Sequence, residues 1–314
     1  MSVEGRKSGF VAVIGAPNAG KSTLVNRLVG AKVTIVTRKV QTTRFPIRGV
    51  AMEGEAQIVL VDTPGVFAPR RRLDRAMVQA AWNGAADADV IVHLVDSAAE
   101  LAVEDGSAVG ADPHAVRDAQ SVMEGLKVSG RMAILALNKI DGVKRDRLLA
   151  LAERMFSSGV YEEVFMISAE NGSGVDDLKK RLASKMQPGD WLYPEDQTAD
   201  LPLRLLAAEI TREKVYLRVH DEIPYAAAVE TTAFTEAKGG AARIEQTIYV
   251  EREGQRAIVL GKNGQTLKWI GQHAREELCE LFDRKVHLFL HVQVRENWQE
   301  MREFYSAGGL DFDV

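Results

Sequence analysis

Apolar positions fall in short unbroken runs through the first half of the chain and alternate with polar ones through the second. Phe10–Gly15 (FVAVIG), AQIVLVD from Ala56, ADVIVHLVD from Ala88, RMAILALNKID from Arg131 and EEVFMISAENG from Glu162 carry little alternation and end in glycine or polar residues. Such runs predict strands buried on both faces, and helical stretches between them predict a parallel sheet covered on both sides. Ligands of such sheets bind outside the carboxyl ends of the strands, where the polar residues of this chain gather. Ser97–Gln120 is small and acidic and reads as a surface loop that turns helical late.

Met186–Pro202 carries three prolines and little periodicity, which marks a boundary. Beyond it, a helix over Leu203–Arg218 precedes two extended runs, the second placing Ile244, Ile248 and Val250 against polar neighbours. A helix, a second helix ending near Phe282, the strand KVHLFLHVQV and a last helix NWQEMREFY complete an α-β-β-α-α-β order. The expected organisation is a domain over 6–187, a linker over 188–201, a smaller α+β domain over 202–298 and an acidic, flexible-looking tail over 299–314.

Composition narrows this little. With 46% hydrophobic and 27% charged residues the chain reads as an ordinary globular protein, and its 314 residues suffice for two cores. A net charge of −4 disfavours a strongly basic nucleic-acid binder but leaves room for a local basic face. A single cysteine, Cys279, lies at core spacing in a helix and excludes an internal disulfide, so a reducing compartment is expected. Without a signal-like segment or an apolar run of membrane length, the reading is cytoplasmic.

The chemistry enters at Gly15–Thr23, GAPNAGKST, which follows a buried strand and opens a helix. There the amides of Gly15, Ala16, Pro17, Asn18, Ala19, Gly20, Lys21, Ser22 and Thr23 outline a phosphate cradle, proline lacking a donor of its own. Lys21 is expected on the β- and γ-phosphates and the Ser22 hydroxyl on Mg²⁺. Asp62, Thr63, Pro64 and Gly65 (DTPG) end the next strand, Asp62 toward the metal and the Gly65 amide toward the γ-phosphate. QTTR (Gln41–Arg44) supplies a threonine that completes the metal shell only when the γ-phosphate is present, Thr43 being the first choice and Thr42 the second. The expected catalytic set is Lys21, Thr43 and Gly65; the metal set is Ser22, Thr43 and Asp62. In NKID, Asn138, Lys139 and Asp141 name the base, because a carboxylate accepts from guanine N1–H and the 2-amino group but finds neither donor on adenine. Ser168, Ala169 and Glu170 of SAEN follow the next strand, where the Ala169 amide is a candidate donor to guanine O6. GTP or GDP with Mg²⁺ is the expected ligand.

These five motifs, in this order, resemble the P-loop GTPases and, within them, the Era family. Val66 stands where Ras-like relatives carry a water-positioning glutamine, so slow intrinsic hydrolysis is expected. The resemblance also implies K⁺ at Asn18, an expectation that equal rates in KCl and NaCl would exclude.

Val259–Gly271, VLGKNGQTLKWIG, holds a second glycine loop, too short for another phosphate cradle. G-x-x-G between two helices resembles the KH domain, whose loop clamps the backbone of single-stranded nucleic acid. Gly261, Lys262, Asn263, Gly264 and Lys268 are the RNA-binding candidates, with Ile258, Val259, Leu260, Leu267 and Ile270 packing beneath; Trp269 either stacks on a base or joins the core. The fold class is therefore α/β, a P-loop GTPase domain with a mostly parallel sheet and helices on both faces, followed by a smaller α+β KH domain of type II. The Era resemblance, spanning about Gly9 to Trp298, implies a monomer that binds the 3′ end of small-subunit ribosomal RNA and assists assembly of the small ribosomal subunit. The rival is a signalling or membrane-surface GTPase whose C-terminal domain binds protein or lipid, a reading that the small basic cluster Arg70–Arg75, RRRLDR, would favour and that goes with peripheral contact at the inner face of the cell membrane.

Overall fold

The computed structural model describes every residue except 1–4, 38, 220–222 and 224. The chain forms two compact units, one of 1–34, 43–200 and 305–314, the other of 35–42 and 201–304.

In the first unit, β1 (Lys7–Gly15), α1 (Lys21–Val29), β2 (Ile47–Glu53), β3 (Ala56–Asp62), α2 (Arg72–Asp87), β4 (Val90–Asp96), α3 (Ser97–Glu104), α4 (Asp112–Ser129), β5 (Ala133–Asn138), α5 (Arg145–Phe156), β6 (Tyr161–Met166) and α6 (Val175–Lys185) precede two short strands, β7 (Gln187–Pro188) and β8 (Ala199–Asp200). The sheet order is β6-β5-β4-β1-β3-β2-β8. The unbroken apolar runs are its parallel strands, β3, β1, β4, β5 and β6. β2 escapes sequence reading: IRGVAME lacks an unbroken apolar run, and it is held as the antiparallel partner of β3. The sheet has a separate apolar core on each face, one around Val11, Leu24 and Leu178, the other around Ile14, Val122 and Leu135.

Three expectations change here. Ser97–Gln120 begins as a helix, because Asp96 Oδ1 accepts from the Ala98 and Ala99 amides and caps α3, while Leu101 is buried; the helix-free part runs only from 105 to 111. Residues 188–200 are no free linker: Trp191 Nε1 donates to the Glu55 carbonyl at 3.0 Å, and Gln57 Oε1 accepts from the Leu192 and Tyr193 amides. The end of the chain is docked as well. Leu310 is buried, Tyr305 and Phe312 meet edge to face, and Arg72 donates to the Phe312 carbonyl while its guanidinium lies over the Phe312 ring. Arg75 reaches Val314 at 3.4 Å, so two arginines of the RRRLDR cluster are engaged by the tail.

His93, on β4, is fully buried; its Nδ1 pairs with the Tyr161 hydroxyl at 2.8 Å and its Nε2 meets no partner among the described residues. Burial, with the Lys21 charge nearby, pushes its pKa down to about 3. The unfolded chain therefore takes up a proton near pH 6.5 that the folded state refuses, and stability falls as pH drops from there toward 3, by up to about 1.4 kcal/mol per pH unit. Between pH 7 and 5, His93→Gln should lose about 2 kcal/mol less unfolding free energy than the parent in urea titrations. Equal losses would contradict a neutral His93.

In the second unit, α7 (Leu203–Arg218), β9 (Ala228–Glu236), β10 (Ala242–Val250), α8 (Glu253–Leu260), α9 (Gln265–Leu281) and β11 (Val286–Val294) follow the α-β-β-α-α-β order. β10 is central, antiparallel to β9 and parallel to β11, with Ile248 opposite Val292. Ile244, Ile248 and Val250 are buried under α7 and α9 residues such as Ile210, Val215 and Ile270. NWQEMREFY forms a single turn at Trp298–Glu300 and then the short α10 (Arg302–Ser306) instead of one helix. Cys279 is half-buried, and its Sγ accepts from the Val286 amide at 3.3 Å.

Candidate functional site

β1 ends at Gly15 and α1 begins at Lys21, with Gly20 at its N-cap in the left-handed region (φ 101°). No side chain caps this helix and its first turn holds no acid, so its leading amides and positive dipole end remain available to an anion. The Lys21 ammonium is almost wholly buried and donates to the carbonyls of Gly15 (3.1 Å) and Ala16 (2.8 Å). Burial pushes its pKa down to about 8 against the opposing pull of Asp62 and Asp118. An arriving phosphate would supply the charge this ammonium lacks.

Asp62, fully buried at the end of β3, gathers three hydroxyls on Oδ2: Ser22 at 2.8 Å, Thr34 at 2.8 Å and Thr43 at 3.2 Å. Ser22 and Thr43 also bond each other at 2.9 Å. Oδ1 has no partner among the described residues, and burial raises the pKa of the carboxyl above its ordinary value. A buried carboxylate with one bare oxygen, ringed by hydroxyls, is a donor set suited to a hard divalent cation.

The structure separates the two candidate threonines. Thr43 lies on Ser22 and Asp62, whereas the Thr42 hydroxyl is committed to Thr37 at 2.6 Å and the Lys39 carbonyl at 2.7 Å. Thr63 turns away from the loop, its hydroxyl donating to the Val13 carbonyl. Val66 is buried and spends its amide on the Gly15 carbonyl at 3.1 Å. Sequence reasoning missed Thr34, whose place depends on Asn26: that side chain accepts from the Val33 and Thr34 amides, and no local spacing announces it.

Asn138 bridges two loops. Its Nδ2 donates to the Ala19 carbonyl at 2.7 Å and its Oδ1 accepts from the Ala169 amide at 2.9 Å. The amide expected for guanine O6 is thus already engaged. Asp141 is exposed just beyond β5, and Lys139 holds a left-handed conformation (φ 63°) with its ammonium on Asp96.

In the second unit, α8 and α9 are joined by a tight turn at Lys262–Gly264. Gly261 has φ 72° and Gly264 φ 75°, but for different reasons. A Cβ on Gly261 would lie 2.2 Å from Thr266 Oγ1 and 2.9 Å from its amide nitrogen, whereas one on Gly264 would meet nothing within 4 Å. The first glycine is demanded by the fold, and the second leaves open space where a backbone could approach. Lys262, Asn263 and Lys268 are exposed. Val259 and Ile270 pack beneath the loop as expected, but Ile258 is 52% exposed and presents an apolar surface beside it. Trp269 is only partly buried and stacks on His273 at 3.9 Å.

Comparison with known proteins agrees with both halves. The family described as 50S ribosome-binding GTPases matches residues 10–139, and the KH domain family matches 222–299. GTPase Era of Caulobacter vibrioides (strain NA1000 / CB15N) is 69% identical over 308 residues, 98% of each chain. Among solved structures, Era in complex with MgGDPNP and nucleotides 1506–1542 of 16S ribosomal RNA aligns with TM-score 0.86 and 35% identity, covering 98% of this chain and all of that one. A substituted Era from Aquifex aeolicus bound to GDP and AlF4⁻ aligns with TM-score 0.87 and 36% identity, over 98% of this chain and 100% of its own.

Proposed function

This chain belongs to the Era family of GTPases, and we propose that it binds the 3′ end of small-subunit ribosomal RNA through its KH unit and, under control of bound GTP, assists assembly of the small ribosomal subunit. The carrying observation is that one chain holds both the Lys21–Ser22–Asp62–Thr43 constellation and an open G-x-x-G turn. The two comparison names point to different subunits. The 50S description rests on residues 10–139 alone, whereas the relative solved with 16S RNA aligns along both units, so the small subunit is favoured.

In this reading residues 15–23 cradle the phosphates, with Lys21 toward the γ-phosphate. Asp141 selects guanine, and Asn138 braces the loops around it, holding the Ala169 amide through its Oδ1. Ser22, Asp62 and Thr43 hold Mg²⁺, which when bound neutralises developing phosphate charge. Gly65 follows Asp62 by three residues and offers its amide to the γ-phosphate. The buried Val66 has no group with which to align a water, so turnover without a partner is slow. The membrane-surface alternative is weakened by the docking of Arg72 and Arg75 on the tail, and no helix among the described residues is long and apolar enough to cross a membrane.

The test is binding of the protein to single-stranded RNA copying the small-subunit 3′ end, against a large-subunit RNA of equal length, with GDP and with a non-hydrolysable GTP analogue. Preference for the first RNA, changing with nucleotide, supports the proposal. Equal binding of both, or none, removes it and leaves the GTPase intact.

A further inference from the structure

Residues 305–314 belong to the same compact unit as the nucleotide site, and they touch the chain on both sides of it. Gly308 lies so close to Phe45, two residues beyond Thr43, that a Cβ on it would sit 2.5 Å from the ring Cδ1 and 2.8 Å from Cγ. Phe312 meets the start of α2, seven residues beyond Gly65. There the Arg72 guanidinium lies 4.5 Å over the Phe312 ring, and its Nη1 donates to the Phe312 carbonyl at 3.2 Å. Arg75 Nε reaches the Val314 oxygen at 3.4 Å.

Both anchor points are tied to the site. Asp74 Oδ2 accepts from the Arg70 and Arg71 amides at 3.0 Å each, so the residues that lead in from Gly65 move with α2. Gly65 itself lies against the phosphate loop, where a Cβ would be 2.9 Å from the Pro17 nitrogen. On the other side Thr43 and Arg44, both buried, join Phe45 to the residues around Asp62. The tail is braced internally: Tyr305 is fully buried, crosses Phe312 edge to face at 5.0 Å, and accepts from the Leu310 amide at 2.9 Å. Between its two anchors the tail is not packed down. A cavity of about 300 Å³ opens there, with Gly309, Asp311, Pro46, Ala76 and Ala80 among its lining residues. A segment that served only the core would close such a gap, because protein interiors pack to crystal-like density. Attachment at two points across a gap holds the points apart at a set distance.

We propose that residues 305–314 are a bracket that positions both sides of the GTPase site: by holding Phe45 and the start of α2 at a fixed separation, they keep Thr43 and Gly65 where Mg²⁺ and the γ-phosphate meet them, and so favour GTP over GDP. The inference rests on the reading that Thr43 completes the magnesium shell and that the Gly65 amide meets the γ-phosphate. A ligand that contacts both sides gains from their being ordered before it arrives. GDP lacks the γ-phosphate and gains nothing. By linkage, GTP tightens the bracket by the same factor that the bracket raises the preference for GTP.

The test uses the full chain and disturbs each anchor separately. Phe312→Ala removes the ring from Arg72 and Tyr305, and Gly308→Ala drives a methyl against Phe45; Phe312→Tyr keeps the ring, and Thr43→Ala is the reference. Affinities for GDP and for a non-hydrolysable GTP analogue are measured at saturating Mg²⁺, with thermal melts to verify folding. Phe312→Ala and Gly308→Ala should each bind GDP within twofold of the parent and the analogue about fivefold more weakly, while Phe312→Tyr stays within twofold for both. Amide exchange across 305–314 in the parent should slow about fivefold with the analogue relative to GDP. If Thr43→Ala leaves the ratio of analogue to GDP affinity unmoved, the site reading fails and the inference with it. If Thr43→Ala lowers that ratio while both folded tail variants keep it within twofold, or if the tail exchanges alike with either nucleotide, the tail only packs, and the assignment of Thr43 stands.

Discussion

Lys21→Met should lower GTP affinity more than about 100-fold while leaving the nucleotide-free protein as stable as the parent, or more so. The two effects separate because the ammonium is buried before any ligand arrives. Its pKa, pushed down to about 8, records a charge held at a disadvantage in the free protein. Methionine keeps the apolar stem and removes that disadvantage. Once phosphate is bound, however, the same charge faces a dense anion at contact distance, an interaction of about 4 kcal/mol at an effective dielectric near 20, or about a thousandfold in affinity. Titration calorimetry and thermal melts of the nucleotide-free proteins measure the two quantities. Proton linkage adds a sign: above pH 8 the free ammonium is increasingly neutral, binding must recruit a proton, and affinity falls as pH rises. The methionine variant should lack that slope. Binding within tenfold of the parent, or a melting temperature lowered by more than about 5 °C, would assign Lys21 a structural role instead.

Gly264→Asp should weaken binding to the small-subunit 3′ RNA by about 100-fold and flatten its dependence on salt, with the fold retained. The new side chain has room, since its Cβ meets nothing within 4 Å. Aspartate tolerates a positive φ at a penalty of about 1–2 kcal/mol, but it brings a negative charge to the place where phosphates would approach. Counterion release makes affinity fall with added salt in proportion to the phosphate contacts made, so losing contacts lowers the slope as well as the affinity. Gly261→Ala should behave otherwise. Its methyl would collide with the backbone and side chain of Thr266, so lost RNA binding there should come with a lower melting temperature. A Gly264→Asp protein that melts like the parent and binds RNA equally well would reduce the loop to a helix connection.

Elements with strong local signals were legible in the chain alone. Five unbroken apolar runs became the parallel strands, and four of the five nucleotide motifs lie where β1, β3, β5 and β6 end, while QTTR lies between α1 and β2. β2 was not legible because its residues gain a strand conformation only by pairing with β3. α3 was not, because its start depends on a single aspartate cap inside a stretch of small residues.

By itself the sequence pointed to a nucleotide cradle at Gly15–Thr23, a base-selecting turn at Asn138–Asp141 and a second glycine turn in its C-terminal part, because each of those expectations rests on a short run of residue types whose chemistry needs adjacency. The tertiary structure decided which threonine meets Asp62, that Asn138 consumes the Ala169 amide, that the tail lies along α2, and that residues 35–42 pack on α7. These depend on contacts across long stretches of chain, 170 residues from Arg212 to Thr42 and 240 from Arg72 to Phe312. Such contacts leave no period or spacing behind; they exist only once burial has brought the segments together.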